Sequence, residues 1–295
     1  MFTGVPGDHA SNQADLVQTL LAGTRFRRVR WVAETGSTNT DAMGLAHDGE
    51  PEGQVVVADH QRAGRGRLGR TWTAPPGASL LVSVLLRPPA PVIGAVAMAV
   101  GLAMAEAVEE LTGVEARLKW PNDLVVPVPG PGPDGSGPDR KLAGILAEAD
   151  WPAGSTASGG WRAPGPGERA TVVVGVGVNV RWPGDLPEEL AATATALNHL
   201  VDAPVDRAEL LVAYLRRLDG RYGDLVAAGT TAGLLPAWRA RSATLGRRVR
   251  VDLGAGDVEG TAVDVTDDGH LVVETPEGER RTFAVGDVVH LRPQA

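Results

Sequence analysis

Three arginines fall within seven residues, in the run Gly64-Arg65-Gly66-Arg67-Leu68-Gly69-Arg70. Arginine's planar fork matches the paired oxygens of a phosphate or a carboxylate. The interleaved glycines let backbone amides approach an anion closely and leave the segment free to move. A solvated surface loop is the plain alternative. The chain as a whole is acidic, with a formal net charge of −8, and against that background the cluster reads better as an anion site. Like charges repel, and glycine is costly to order. The loop is therefore expected to be disordered alone and to close over an anionic ligand. Its spacing also fits G-x-G-x-x-G, a weak sign of a dinucleotide site. That reading fails, because Trp72, Pro75, Pro76 and Gly77 follow where a helix would have to start, and no acidic residue lies about 20 positions on to hold a ribose.

A second candidate group is neutral. Ser37, Thr38 and Asn39 stand at a turn that opens a helix, and Gln61 follows the β-branched run 55–58. Hydroxyls and amides are what a buried, uncharged polar ligand group needs, since leaving such a group unpaired costs roughly 1–3 kcal/mol. Taken alone, the three residues read more simply as a helix start, with Thr38 as cap and Asp41 completing a near capping box. Lys119 and Lys141 taken alone are solvated strand residues. Asn122 and Asp123 alone would make a good hairpin-entry turn.

Composition excludes several chemistries. There is no cysteine, which removes disulfides, thiol catalysis and Cys-type zinc sites, and fits a reducing, cytoplasmic setting. The six histidines fall in no His-x-x-x-His or His-Glu-x-x-His pattern, and no Gly-x-Ser-x-Gly appears, so hydrolysis by metal or serine is disfavoured. The acidic balance argues against a general nucleic-acid surface. Residues 91–105 are apolar, but the stretch is shorter than the roughly 20 residues a bilayer needs and is interrupted beyond by Glu106, Glu109 and Glu110. It reads as a buried helix, not a membrane span.

The elements that must position these groups follow from periodicity and punctuation. Strands are expected at 55–58, 80–86, 115–120, 124–126, 142–147 and 171–180, with a short helix at 15–21, a long one at 91–112, and helices from about 187 to 240. Two Pro/Gly-rich stretches, 127–140 and 152–167, are expected to be mobile surface insertions. Beyond residue 245 short strands alternate with Gly/Asp turns, which suggests a small antiparallel barrel.

Four motifs together carry a resemblance: Ser37-Thr38-Asn39, the arginine loop 64–70, Lys119-Trp120-Pro121-Asn122-Asp123-Leu124 with Lys141-Leu142-Ala143-Gly144-Ile145-Leu146-Ala147-Glu148, and Gly175-Val176-Gly177-Val178-Asn179-Val180. In this order they resemble the biotin–protein ligases. The resemblance implies an α/β (α+β) fold: a catalytic domain like the class II aminoacyl-tRNA synthetase core, with a mixed sheet and helices, followed by an SH3-like β-barrel. The implied organisation is an N-terminal extension 1–30, a biotin/ATP-binding domain 31–244 and a C-terminal domain 245–295. The extension is too short for the winged helix of bifunctional members, so a ligase that does not repress transcription is expected.

The resemblance further implies the chemistry. Biotin and ATP are substrates, biotinyl-5′-AMP is the intermediate, and the acceptor is a lysine of a biotin carboxyl carrier protein or domain of an acyl-CoA carboxylase. Mg²⁺ is implied, held mainly by the ATP phosphates. Biotin would be bound by Ser37, Thr38, Asn39, Gln61, Arg65, Gly66, Arg67, Lys141 and Gly144. The nucleotide would be bound by Arg67, Arg70, Trp72, Asn122, Lys141 and Asn179, with Trp72 stacking on adenine. Lys141, Arg67, Lys119 and Asp123 would serve the chemistry. No nucleic-acid or membrane partner is expected, and the motifs leave a homodimer open. The nearest rival, a lipoate–protein ligase, shares the chemistry, but its Arg-Arg-x-Ser-Gly-Gly-Gly signature is missing here. A non-catalytic biotin-responsive regulator would need a DNA-binding element, and none is found.

Overall fold

The computed structural model describes residues 6–129, 136–150, 156–157, 160–161, 168–254, 256–284 and 286–291. In chain order, α1 spans Pro6–Leu20, β1 Arg28–Thr35, α2 Thr38–His47, β2 Gln54–Gln61 and β3 Ser79–Leu86. Then come α3 Val96–Thr112, β4 Arg117–Lys119, β5 Asp123–Pro129, β6 Ser136–Asp150, the short ribbon β7 Thr156–Ala157 with β8 Gly160–Trp161, and β9 Thr171–Asn179. Helices α4 Glu188–Ala191, α5 Arg207–Ala228 and α6 Leu235–Ala240 lead to β10 Arg248–Asp252, β11 Asp257–Val265, β12 Leu271–Glu274, β13 Arg280–Phe283 and β14 Asp287–His290.

Seven strands form one mixed sheet in the order β1-β2-β3-β9-β6-β5-β4. β1 and β2 run parallel and every other neighbouring pair is antiparallel. The central strands read as apolar runs because both faces are covered: every residue of β3 is buried. Helix α3 packs against α5 and the sheet, with Val100, Leu102, Met104 and Val108 in the core, as its composition anticipates. Its apolar length, taken with the preceding 3-10 turn, would also suit a membrane, but most of that surface is buried in this core. Helix α5 starts on Asp206, whose carboxylate accepts from the amides of Ala208 and Glu209, and ends on Gly229 in the left-handed region. Leu211, Tyr214, Leu218 and Tyr222 lie inward at helical spacing. Strands β10–β14 make a separate antiparallel sheet in the order β13-β12-β11-β10-β14, the C-terminal module expected from the turn pattern.

Two expectations are corrected. The stretch 127–140 is strand at both ends, with Pro127 opposite Asp139 and Pro129 opposite Ser136. Beyond Val125 the outer edge of β5 is unpaired by β4, so prolines that lack a donor N–H do no harm there. Residues 130–135 lie outside the described residues, as does most of 152–167 beyond the β7–β8 ribbon. The helix start at Ser37 also differs, since Ser37 is the N-cap and makes no side-chain cap bond. Thr38 turns to Gln61 instead, and Asp41 accepts from Thr35 at 2.6 Å.

Candidate active site

The arginine loop, the α2 start and strands β4, β5, β6 and β9 enclose a cavity of about 340 Å³, with β14 of the C-terminal module closing one side. Its floor is glycine, because side chains of other elements lie where a Cβ would stand. A Cβ on Gly175 would come within 2.2 Å of Asn39 Oδ1, and one on Gly177 within 2.7 Å of the Trp72 ring. Gly144, paired with Gly177 across the ladder, lies under the same indole. Strand alternation thus puts 175 and 177 on one face, and their lack of side chains makes the room.

One end of the cavity is neutral and polar. The Thr38 amide donates to Gln61 Oε1 at 2.7 Å, and the Thr38 hydroxyl donates to the same atom at 3.0 Å. Ser83 Oγ, on β3, lies 2.7 Å from Thr38 Oγ1 and 2.6 Å from Asn39 Oδ1. Asn39 Nδ2 donates to Glu148 Oε2 at 2.7 Å and to the Leu146 carbonyl at 3.2 Å. Ser37, Thr38 and Asn39 are all buried, so this pre-paired network presents fixed donors and acceptors to a ligand.

The other end is cationic. Arg67, Arg70, Lys119 and Lys141 line it with Asp123 and Asp287, while Arg65 lines the cavity beside Asn39, on Glu148. The chain contains two lysines in 295 residues, and both are here. Lys141 Nζ sits 2.7 Å from Asp123 Oδ1 and lies over the Trp72 ring at 5.6 Å. The Lys141 backbone is held on both sides, by Thr193 and Thr195. Asn122 and Ile145 exchange two bonds, Asn122 Nδ2 to the Ile145 carbonyl at 2.7 Å and the Ile145 amide to the Asn122 carbonyl at 2.8 Å, which fixes the β5 entry. Burial lowers the pKa of Lys119. Asp123 and Asp139 oppose that effect, and Lys141 and Arg247 add to it. Burial also lowers Arg67, against Asp123.

The arginine loop is folded, contrary to the disorder expected of it alone. Gly66 and Trp72 amides bond back to Arg70 and Gly64, and Leu68 at the tip takes a left-handed conformation at φ 55° and is 74% exposed. The reason is that the chain's own carboxylates serve the arginines. Arg65 places Nη2 2.9 Å from both oxygens of Glu148 and donates from Nη1 to Thr40. Arg70 pairs with Asp287, and Arg67 reaches Asn122 Oδ1 at 3.3 Å and the Gly286 carbonyl at 3.5 Å. Like-charge repulsion is thereby offset within the molecule.

All the residues expected to meet biotin line this cavity, as do Arg70, Trp72, Asn122, Asp123 and Lys119. Asn179 does not. It is buried at the end of β9, donating to the Thr195 carbonyl and paired with Ser79, so it supports the segment that holds Lys141 rather than facing the cavity. Trp72 lies flat on the glycine floor with its buried Nε1 unpaired. Sequence reasoning missed Glu148, Ser83 and Asp287 as partners. Glu148 sits inside a quoted motif, whereas no local signal marks Asp287, more than two hundred residues from the loop it holds.

A neutral hydrogen-bonding end beside a cluster of cations suits a ligand with an uncharged polar head and an anionic tail, reacting with a polyphosphate. Comparisons with known proteins agree. Residues 31–157 match the biotin/lipoate A/B protein ligase family, and residues 244–291 match the biotin protein ligase C-terminal domain. The chain is 38% identical to the biotin–(acetyl-CoA-carboxylase) ligase of Mycobacterium tuberculosis, over 93% of each chain. It is 31% identical to the bifunctional ligase/repressor BirA of Bacillus subtilis, over 84% of this chain and 70% of that one. Among solved structures, the biotin protein ligase of Aquifex aeolicus in complex with biotin and ATP superimposes with a TM-score of 0.69 at 26% identity, covering 90% of this chain and all of that one. The motif order, the two-module fold and a 38% identical relative matched over 93% of its length place this chain among the biotin protein ligases of the biotin/lipoate A/B protein ligase family.

Proposed function

We propose that the protein activates biotin with ATP and transfers it to a lysine of a biotin carboxyl carrier domain of an acyl-CoA carboxylase, in a cytoplasmic setting. The observation that carries this is the polarity of one cavity: Thr38, Asn39 and Gln61 at a neutral end, Arg67, Arg70, Lys119 and Lys141 at the other, and Arg65 beside the first on Glu148. The ureido group of biotin matches the first, and its carboxylate with the triphosphate matches the second. Two anions must meet, and positive charge has to be in place before they can. Lys141 and Arg67 stand at the junction. The biotin carboxylate attacks the α-phosphorus in line, a P–O bond forms, and pyrophosphate leaves. The cations hold the charge that moves onto the leaving oxygens.

The product, biotinyl-5′-AMP, is a mixed anhydride. The neutral amine of the acceptor lysine attacks its carbonyl, an amide forms, AMP departs and a proton is released to solvent or a carboxylate. No protein nucleophile is required. The folded arginine loop shields the anhydride from water. Among the described residues no group of three or more His, Cys, Asp or Glu side chains is placed to hold a metal. The Mg²⁺ that the family implies would be held mainly by the nucleotide's own phosphates, and no step is derived through it.

ATP–pyrophosphate exchange tests the first half-reaction without an acceptor. Exchange that requires biotin is expected. Exchange that ignores biotin, or follows lipoate instead, overturns the reading. Incorporation of labelled biotin into a carrier domain tests the second half.

A further inference from the structure

The hydrogens of the neutral end follow from which of its atoms can donate. The Thr38 amide only donates, so the Gln61 atom it meets at 2.7 Å is the carbonyl oxygen Oε1. Asn39 is oriented in the same way. One side of its carboxamide meets the Glu148 carboxylate at 2.7 Å and the Leu146 carbonyl at 3.2 Å, and both only accept. Nδ2 therefore faces them, and Oδ1 faces Ser83 Oγ, 2.6 Å away. The reverse orientation would set an amide oxygen against a carboxylate and a carbonyl. Glu148 is itself fixed from the loop, with Arg65 Nη2 2.9 Å from both its oxygens.

A row of three oxygen–oxygen contacts results. Asn39 Oδ1 meets Ser83 Oγ at 2.6 Å, Ser83 Oγ meets Thr38 Oγ1 at 2.7 Å, and Thr38 Oγ1 meets Gln61 Oε1 at 3.0 Å. Each such contact is favourable only with a hydrogen between its oxygens. The two hydroxyls bring one hydrogen each, and the carbonyl oxygens at the ends of the row bring none. With Thr38 donating to Gln61 and Ser83 to Asn39, the Ser83–Thr38 contact has only lone pairs in it. With Thr38 donating to Ser83 instead, the Thr38–Gln61 contact is the empty one. The row is one hydrogen short. Ser83, Thr38 and Asn39 are buried, where an unmade bond is costly. Thr38, Asn39 and Gln61 line the cavity, whereas Ser83 and Glu148 do not.

We infer that Glu148 and Ser83 are positioning residues that set the hydrogen-bond polarity of the neutral end: Glu148 turns the Asn39 carboxamide, Ser83 passes the shortage on to Thr38, and the cavity selects a ligand head that donates a hydrogen at Gln61 and Thr38. A cyclic urea supplies it. Gln61 Oε1 accepts the ligand N–H, Thr38 turns to Ser83, Ser83 turns to Asn39, and every contact is filled. A ring of carbon and sulfur, such as the dithiolane of lipoate, has no such hydrogen and leaves the row short. That the urea is biotin's rests on the ligase reading.

Isothermal titration with biotin and its two cyclic carbamate analogues, each with one ureido N–H replaced by a ring oxygen, tests this. For the wild-type chain, one of the two analogues is expected to bind at least about 10²-fold more weakly than biotin, because a site built to accept a ligand N–H rejects the analogue without it. Equal binding of all three ligands overturns the inference. Ser83→Ala takes the middle oxygen out of the row and frees Thr38 to donate to the ring oxygen. The ratio between biotin and that analogue is then expected to fall about tenfold. Packing damage alone would weaken both ligands alike and leave the ratio in place. An unchanged ratio in Ser83→Ala protein shown by thermal melting to be folded therefore overturns the inference. Should Ser83→Ala fail to fold, Glu148→Gln answers, since its side chain is more exposed. The new amide can donate to Asn39 Oδ1, the Asn39 carboxamide turns, and Nδ2 brings the missing hydrogen to Ser83. The ratio is again expected to fall, and an unchanged ratio overturns the inference. A wild-type chain that binds no biotin would sink the ligase reading and this inference with it, whereas biotin binding with an unmoved ratio removes the inference alone.

Discussion

At the residue scale, the choice of lysine carries information. Of 28 basic residues two are lysine, and both line the cavity. Arginine presents a wide, rigid fork, and lysine a compact point charge on a flexible stem. A group that must approach a carboxylate oxygen and an α-phosphate oxygen in turn needs the second. Lys141→Arg is therefore expected to keep the positive charge yet lower kcat for pyrophosphate exchange by about 10²-fold or more, with a smaller change in biotin affinity. Equal kcat values for the two proteins would refute that role. Arg67 is held less tightly than its neighbours, with contacts of 3.3 and 3.5 Å to Asn122 and Gly286. Arg67→Ala is expected to release biotinyl-5′-AMP and biotinylate bystander proteins; strict acceptor specificity in that variant would end the shielding argument. Residues inside contiguous motifs were legible because their spacing is local. Asn179 lies on the same strand face as Gly175 and Gly177 but one pleat beyond the cavity, where the Thr195 segment covers it. Strand alternation gives the face and not where the cavity stops.

At the scale of elements, the strands and long helices follow from apolar period, and the floor of the site follows from glycines within them. Why those glycines are needed was not legible, because the atoms that fill their space come from Asn39 and Trp72, far away in sequence. The helix-start motif misled in the same way. Ser37–Asn39 has the chemistry of a cap, and only β2 and β3 packed alongside turn Thr38 toward Gln61 and Asn39 toward Ser83. Gly177→Ala brings a methyl within 2.7 Å of the indole, so Trp72 must lift from the floor. The expected result is a stability loss of about 1–3 kcal/mol at most, a shift in tryptophan fluorescence and a raised KM for biotin. Gly175→Ala meets Asn39 Oδ1 at 2.2 Å and should disturb the Thr38–Asn39–Glu148 network more, raising the biotin KM further. A Gly175→Ala enzyme with wild-type biotin KM would show that this network does not read the ligand.

For the molecule as a whole, the C-terminal module is part of the site. Its turn punctuation made it visible as a separate unit, but nothing in a sequence period states which distant surface a module meets. The structure seats Asp287 against Arg70, with Arg67 at 3.9 Å, so the module holds the far side of the arginine loop while Glu148 holds the near side. The two anchors differ in kind. Glu148 belongs to the same sheet as the glycine floor, whereas Asp287 rides on β14 and can separate from the loop if the module shifts. Loop opening should then be governed by the Asp287 side. Asp287→Asn keeps the size of the side chain and removes the charge, so it is expected to open the loop more often and shorten the lifetime of enzyme-held biotinyl-5′-AMP several-fold. Pyrophosphate exchange should be affected less, because Lys119, Lys141 and the arginines all remain. A pulse of labelled biotin with ATP, followed by a chase with unlabelled biotin, measures that lifetime. If it matches wild type, the loop is held from the Glu148 side alone and the module's contact is incidental to closure.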